Sequence, residues 1–154
     1  MVRIREFNDY FKGMLVKVPA LKSFLLVASE SDLANKIRNL SDGDFPLLIV
    51  LIPSADSIAL DPDNVTEAST CLLYVVRKLI PDASDDVSFL NLMEDTQNIF
   101  TAVKLQLATD KANHDTSPHF MHRMDLNRMH SDPEYNYLGC VGWSLSFNLF
   151  NLGF

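Results

Sequence analysis

Four histidines, His114, His119, His122 and His130, fall within a stretch of 17 residues. Asp115, Asp125 and the methionines Met121, Met124 and Met129 share it. Imidazole is the commonest protein metal ligand, so a metal site is the first chemistry to test here. The spacing argues against it. There is no His-x-His pair and no pair at helical i, i+4 spacing. On a strand, His119 and His122 point to opposite faces because their separation is odd. The plainer reading is a polar, partly exposed strand. A metal-binding or enzymatic use of the His114–His130 segment is the alternative.

Other reactive constellations are missing. Neither Gly-x-Ser-x-Gly nor His-Glu-x-x-His occurs, and there is no Walker loop and no Gly-x-Gly-x-x-Gly. Asp61-Pro62-Asp63-Asn64 lacks the alternating acids, glycine and twelfth-position glutamate of a calcium loop. Asp82, Asp85 and Asp86 read equally well as a solvated loop and a helix start. Cys71 and Cys140 could approach each other if their strands are neighbours, but no nearby base would activate either, so buried free thiols are the default. Gly139 and Gly142 flank Cys140 and Val141, and glycine inside a strand marks a bulge or a close backbone approach. We therefore assign no catalytic residue, no metal ligand and no cofactor, and expect a protein that is not an enzyme.

The composition fits that expectation. At 154 residues the chain suits one domain, 1–154, with a real core. Apolar residues make up 47% and charged residues 21%, which excludes disordered and low-complexity classes. Two cysteines are too few for a disulfide scaffold. The net charge of −7 argues against a surface that coats nucleic acid. It is unevenly spread. Residues 1–40 hold seven basic and four acidic groups, residues 41–100 two and eleven, and residues 101–154 four and five. No secretory leader is legible in residues 1–17, and the longest apolar run, Leu47 to Ile52, is too short for a membrane span. We expect a chain kept in a reducing cytoplasm, with no membrane contact.

The elements follow from hydrophobic period. Ile4, Phe7, Phe11, Met14 and Val18 recur at steps of three and four, predicting a helix over 2–18 that Pro19 ends. Residues 23–28 are a strand or a buried helical turn. Ser31 and Asp32 can cap a second helix bearing Leu33, Ile37 and Leu40, closed by a turn at 41–44. Phe45–Ile52 is continuously apolar, which predicts a strand buried on both faces. Residues 53–70 read as an exposed loop, with at most a short extended piece at Ser57 to Leu60. Cys71–Leu79 is a strand and 81–86 a loop. The spacing of Leu92, Thr96, Ile99, Phe100, Val103 and Leu107 predicts the longest helix, 88–109, with Ser88 as its cap. The chain closes in a hairpin: a strand from His119 to His130, a turn at Ser131–Glu134, and a strand from Tyr137 to Phe150. Along the last, Trp143, Leu145, Phe147 and Leu149 alternate with Ser144, Ser146 and Asn148. The fold class expected is α+β: a mainly antiparallel sheet carrying an N-terminal helix and a long helix at about 88–109, with a closing C-terminal hairpin.

Several apolar side chains look costly to expose. Phe7, Tyr10 and Phe11 on the first helix, and Phe150, Leu152 and Phe154 at the end, are the candidate interface residues, since apolar surface tends to mark partner contact.

The element order resembles the tail-terminator and tail-completion proteins of long-tailed bacteriophages, neck connectors also found in contractile injection particles. The residues that carry the resemblance are the Phe45–Ile52 and Cys71–Leu79 strands, the 88–109 helix, and the closing Leu138–Leu149 strand with its glycine, tryptophan and alternating apolar residues. Residues 19–44 add an element and a helix to that pattern. The resemblance implies a structural virion protein, made in the host cytoplasm, that forms a homo-oligomeric ring, commonly a hexamer. Such a ring caps the tail tube and docks to the head through head–tail connector proteins. DNA would pass through its lumen without specific binding. A basic surface of one copy could meet an acidic surface of the next. The alternative is a small cytoplasmic interaction module, a homodimer or adaptor unrelated to phage.

Overall fold

The computed structural model describes residues 1–59, 65–79 and 86–152. Helix α1 (Ile4–Lys17) is followed by strand β1 (Ser23–Val27), helix α2 (Glu30–Ile37) and strands β2 (Leu47–Leu51), β3 (Ser54–Ala59) and β4 (Val65–Lys78). The long helix α3 (Asp86–Ala112), two short 3-10 turns (His119–Arg123 and Leu126–Arg128), and strands β5 (His130–Tyr137) and β6 (Cys140–Leu152) complete it. The strands form one sheet in the order β1-β2-β4-β6-β5, with β3 also on β4. Only β1 and β2 pair in parallel; every other pairing is antiparallel. The fold is thus α+β, as its hydrophobic periods predict.

The sheet has two unequal faces. On one, Leu48, Val50, Leu73, Val75, Leu145, Phe147 and Leu149 meet α1 and α3, through Phe7, Phe11 and Met14 from the first and Ile99, Phe100, Val103 and Leu107 from the second. On the other, Leu47, Ile49, Tyr74 and Val76 pack under α2 through Leu33. Strand β2 is buried on both faces for this reason. Residues along β4 alternate between the two clusters, with Cys71, Leu73 and Val75 on one side and Tyr74 and Val76 on the other. The stripe of α1 is close to the expected one: Phe7, Tyr10, Phe11 and Met14 are buried, whereas Ile4 is 53% exposed.

Four expectations are corrected. Residues 53–70 are not an exposed loop. Strand β3 pairs with β4 from Ser54↔Thr70 to Ala59↔Val65, and Glu67 and Ser69 are buried. Val50 and Ser54 are four positions apart along the chain, while their partners Leu73 and Thr70 are three positions apart. So β2 and β3 act as one long strand with an extra residue near Pro53, which cannot donate to the ladder. The short, polar residues of this stretch disguised it. Second, α2 begins two to three residues before the expected caps Ser31 and Asp32: Ser29 is its N-cap, and its hydroxyl accepts from the Asp32 amide.

The third correction concerns the expected strand from His119 to His130: His119–Arg123 and Leu126–Arg128 are 3-10 turns, and only His130 belongs to a strand, as the first residue of β5. Phe120, Met121 and Met124 are thereby turned into the core. The fourth is the hairpin turn. Ser131–Glu134 lie within β5, and the chain reverses between Tyr137 and Cys140 instead. Leu138 and Gly139 there have φ of 52° and 77°, left-handed values that glycine adopts freely. Pro133 is tolerated in β5 because that strand is an edge. Helix α3 extends to Asp86, two residues beyond the expected cap Ser88. The predicted 81–86 loop and Leu60 lie, Asp86 apart, outside the described residues. No described helix is long and apolar enough to cross a membrane.

Candidate functional site

Asp110, near the C-terminal end of α3, is a buried carboxylate. Tyr10 Oη donates to its Oδ2 at 2.7 Å, and Lys17 Nζ donates to the same oxygen at 2.7 Å. Gln106 Nε2 donates to Oδ1 at 2.8 Å. Burial, then the hydrogen bond to Asp110, pushes the Tyr10 phenol far above its ordinary range. Both carboxylate oxygens are taken by donors from α1 and α3. The cluster therefore fastens two helices and leaves no oxygen oriented toward a substrate.

The histidines are closer together than a strand would allow. The His114 and His122 rings lie 4.4 Å apart between centroids, and His119 and His122 5.6 Å. In a 3-10 turn there are three residues per turn, so i and i+3 eclipse instead of diverging. That is why His119 and His122 share a side. Among the described residues no group of three or more His, Cys, Asp or Glu is placed to hold a metal ion. His130 lies apart, 3.0 Å from Asp132 on β5.

The two thiols cannot meet. Cys71 belongs to the core under α1 and α3, and Cys140 to the core under α2. Burial pushes the Cys71 thiol up to about 12 and the Cys140 thiol up to about 11. Neither is a nucleophile near neutrality. Alkylation at pH 8 should leave both unmodified in the folded protein and label both once it is unfolded. Rapid labelling of either thiol in the native state, read by intact mass, would contradict this burial.

The candidate interface residues divide. Phe7, Tyr10 and Phe11 do not face outward; they lie in the core, against one another and against Phe120. A partner could reach them only by lifting α1 off the sheet. The sequence misled because a helix with an aromatic stripe looks the same whether its own sheet or another chain covers it. Phe150 is half-buried, opposite Ala68 on β4. The Leu152 side chain and Phe154 lie outside the described residues. Of the split charge, Arg3 at the N-cap of α1 and Arg5 and Lys12 on that helix are exposed. Asp61, Asp63, Asp82 and Asp85 lie outside the described residues.

What the sequence did not single out is a groove of about 520 Å³ between α3 and the β5 edge. Phe100, Lys104 and Leu105 line one wall, and Leu126, Met129 and Trp143 the other. Its surface is mostly carbon, and its volume is in the range of ligand and anchor pockets. The Trp143 indole donates to the Met93 carbonyl at 3.4 Å and stacks on Phe100 at 6.0 Å. The Lys104 ammonium lies over the Phe100 ring and donates to Ser131 Oγ at 3.0 Å. The alternation around Trp143 puts it on the buried face of its strand, whereas the indole is only half-buried; nothing local marks Lys104, because the groove exists only where α3 crosses the sheet edge. This arrangement can hold an apolar anchor beside a negative charge. The sequence matches no family model and no curated protein.

Proposed function

We propose that the chain is a structural assembly protein of a tailed phage or phage-like particle, a ring-forming tail terminator or neck connector. On this reading it acts in the virion, caps the tail tube and docks to head–tail connector proteins, with chemistry limited to shape and charge complementarity. The observation that carries the proposal is the sequence of elements ending in β6, where Gly142 and Trp143 open a strand of alternating apolar residues beneath α3. The satisfied Asp110 cluster and the buried thiols agree with a scaffold that binds without catalysis.

A second reading, a homodimeric interaction module unrelated to phage, is favoured by the apolar residues that α3 leaves exposed. Mass in solution and electron microscopy separate the two. The first predicts rings, commonly of six copies, alone or on added tail tubes. It also predicts that Phe154→Asp weakens assembly with an unchanged circular dichroism spectrum. A discrete dimer at every concentration, with no ring in the micrographs, would overturn it in favour of the second.

A further inference from the structure

Helix α3 carries two complementary features on its outward side. In its first half Val87 and Leu90 are 65% and 62% exposed, and exposed Glu94 follows at the next helical step. Steps of three and four place the three on one stripe. In its second half the same side carries Thr101, Leu105 and Ala108, which with Lys104 border the apolar groove described above. Among the described residues neither Glu94 nor Lys104 belongs to an ion pair.

The helix runs from Asp86 to Ala112, so its midpoint is Ile99. Glu94 and Lys104 stand equally far from that midpoint on opposite sides, and so do Leu90 and Ala108. An antiparallel second copy of α3 in full overlap therefore sets each Glu94 level with the other copy's Lys104. The same register sets each Leu90 level with Ala108 at the partner's groove. Gln97 and Thr101, both polar, then face each other across the centre. A patch and its complement on one side of one molecule are both satisfied by a single second copy when a two-fold axis relates the two. A ring contact instead needs two patches that face different ways.

We propose that α3 pairs antiparallel with α3 of a second copy across a two-fold axis, with Leu90 anchored at the partner's groove and Glu94 against Lys104. This rests on the reading that the chain assembles with itself, and it adds a contact distinct from a ring's head-to-tail one. It makes the protein a dimer, or joins two rings face to face. A helix of 27 residues is about 40 Å long, and at about 10 Å width the pair covers on the order of 400 Å² per copy. That lies below the roughly 800 Å² per partner of a standard interface, so the association is weak and reversible on dilution.

The test is sedimentation of the full chain over a range of concentrations, as wild type, Glu94→Lys, Lys104→Glu and the double variant. All the changed positions are on a helix surface, and circular dichroism checks that each variant folds. The wild type should reach a two-fold assembly as concentration rises, and its single tryptophan, Trp143, should shift its emission as the groove is covered. Each single reversal should weaken the association by roughly tenfold or more, and the double reversal should restore it. A wild type that stays monomeric at every concentration overturns this contact, while the ring is judged separately by micrographs of the chain with added tail tubes. An oligomer unmoved by all three variants overturns the contact and leaves the ring reading standing. Single variants that dissociate but are not rescued by the double overturn the pairing of Glu94 with Lys104.

Discussion

Gly142→Ala should abolish the native sheet or cost it about 3 kcal/mol or more, near the top of what overpacking does. Gly142 lies on β6 directly opposite Val76 on β4 and Glu134 on β5. A Cβ there would sit 2.1 Å from the Val75 carbonyl oxygen, 2.9 Å from Val76 Cα and 3.0 Å from the Val75 carbonyl carbon. All three are main-chain atoms of the strand at the centre of the sheet. A flexible side chain could swing aside, but a backbone held by ladders on both edges cannot. Relief requires moving β4 away from β6 and breaking part of the longest pairing in the molecule. Gly139 is the internal control. Nothing lies within 4 Å of its would-be Cβ, and only its φ of 77° resists a side chain. Gly139→Ala should cost about 1–2 kcal/mol. Thermal melts decide the matter. A Gly142→Ala protein that melts within a few degrees of wild type would show that the strands are not so close.

The second large effect is expected at Asp110. Asp110→Ala leaves the buried Tyr10 hydroxyl with no acceptor and frees Gln106 and Lys17. A stranded buried donor costs about 1–3 kcal/mol, and loss of the charge adds to it. Lys17 is partly exposed and regains water, so its share is discounted. A total of about 3 kcal/mol follows, which is roughly 6–12 °C in Tm for a chain of this size. Tyr10→Phe should cost only about 1 kcal/mol, because the carboxylate keeps its other two donors. The double variant should fall short of the sum, since the two share one bond.

The same cluster shapes the response to alkali. The folded pKa of Tyr10 is raised above the unfolded value of about 10, through burial first and Asp110 second. The folded state therefore holds a proton that the unfolded state releases. Its contribution is fully present below pH of about 10 and declines as pH rises above it. The Tyr74 phenol, raised mainly by burial and beyond that by Tyr137, adds in the same direction. Stability that stays flat from about pH 9 to 11, measured by denaturant melts, would count against buried phenols at both positions.

How far the fold was legible in the sequence differs element by element. Helices α1 and α3, and strand β2, were readable because each carries its burial in its own spacing. The β3 ribbon was not, since Ser54, Ala55, Asp56 and Ser57 have no apolar period. They are held as a strand by main-chain bonds to β4, which lies outside any local window. The histidine segment failed for another reason. Its odd spacing separates faces on a strand and aligns them in a 3-10 turn, and composition does not say which applies. Pro133 points to a hairpin turn at Ser131–Glu134 because proline favours turns, yet an edge strand also accepts it, and edge status depends on the whole sheet.

The candidate site shows the same division. That aromatic residues of the first helix must be covered followed from the hydrophobic effect acting on their stripe, and this the amino-acid sequence determined alone. So did the α+β class and the want of local nucleophile, metal or phosphate motifs. What covers the stripe was decided only by tertiary structure, which lays α1 on its own sheet and buries Phe7, Tyr10 and Phe11. The same packing leaves Val87 and Leu90 outside and opens the groove beside Lys104 and Trp143. The physical reason is that hydrophobic burial is non-directional. Periodicity says that a face must leave water, whereas the choice of neighbour depends on chain segments that meet only after folding.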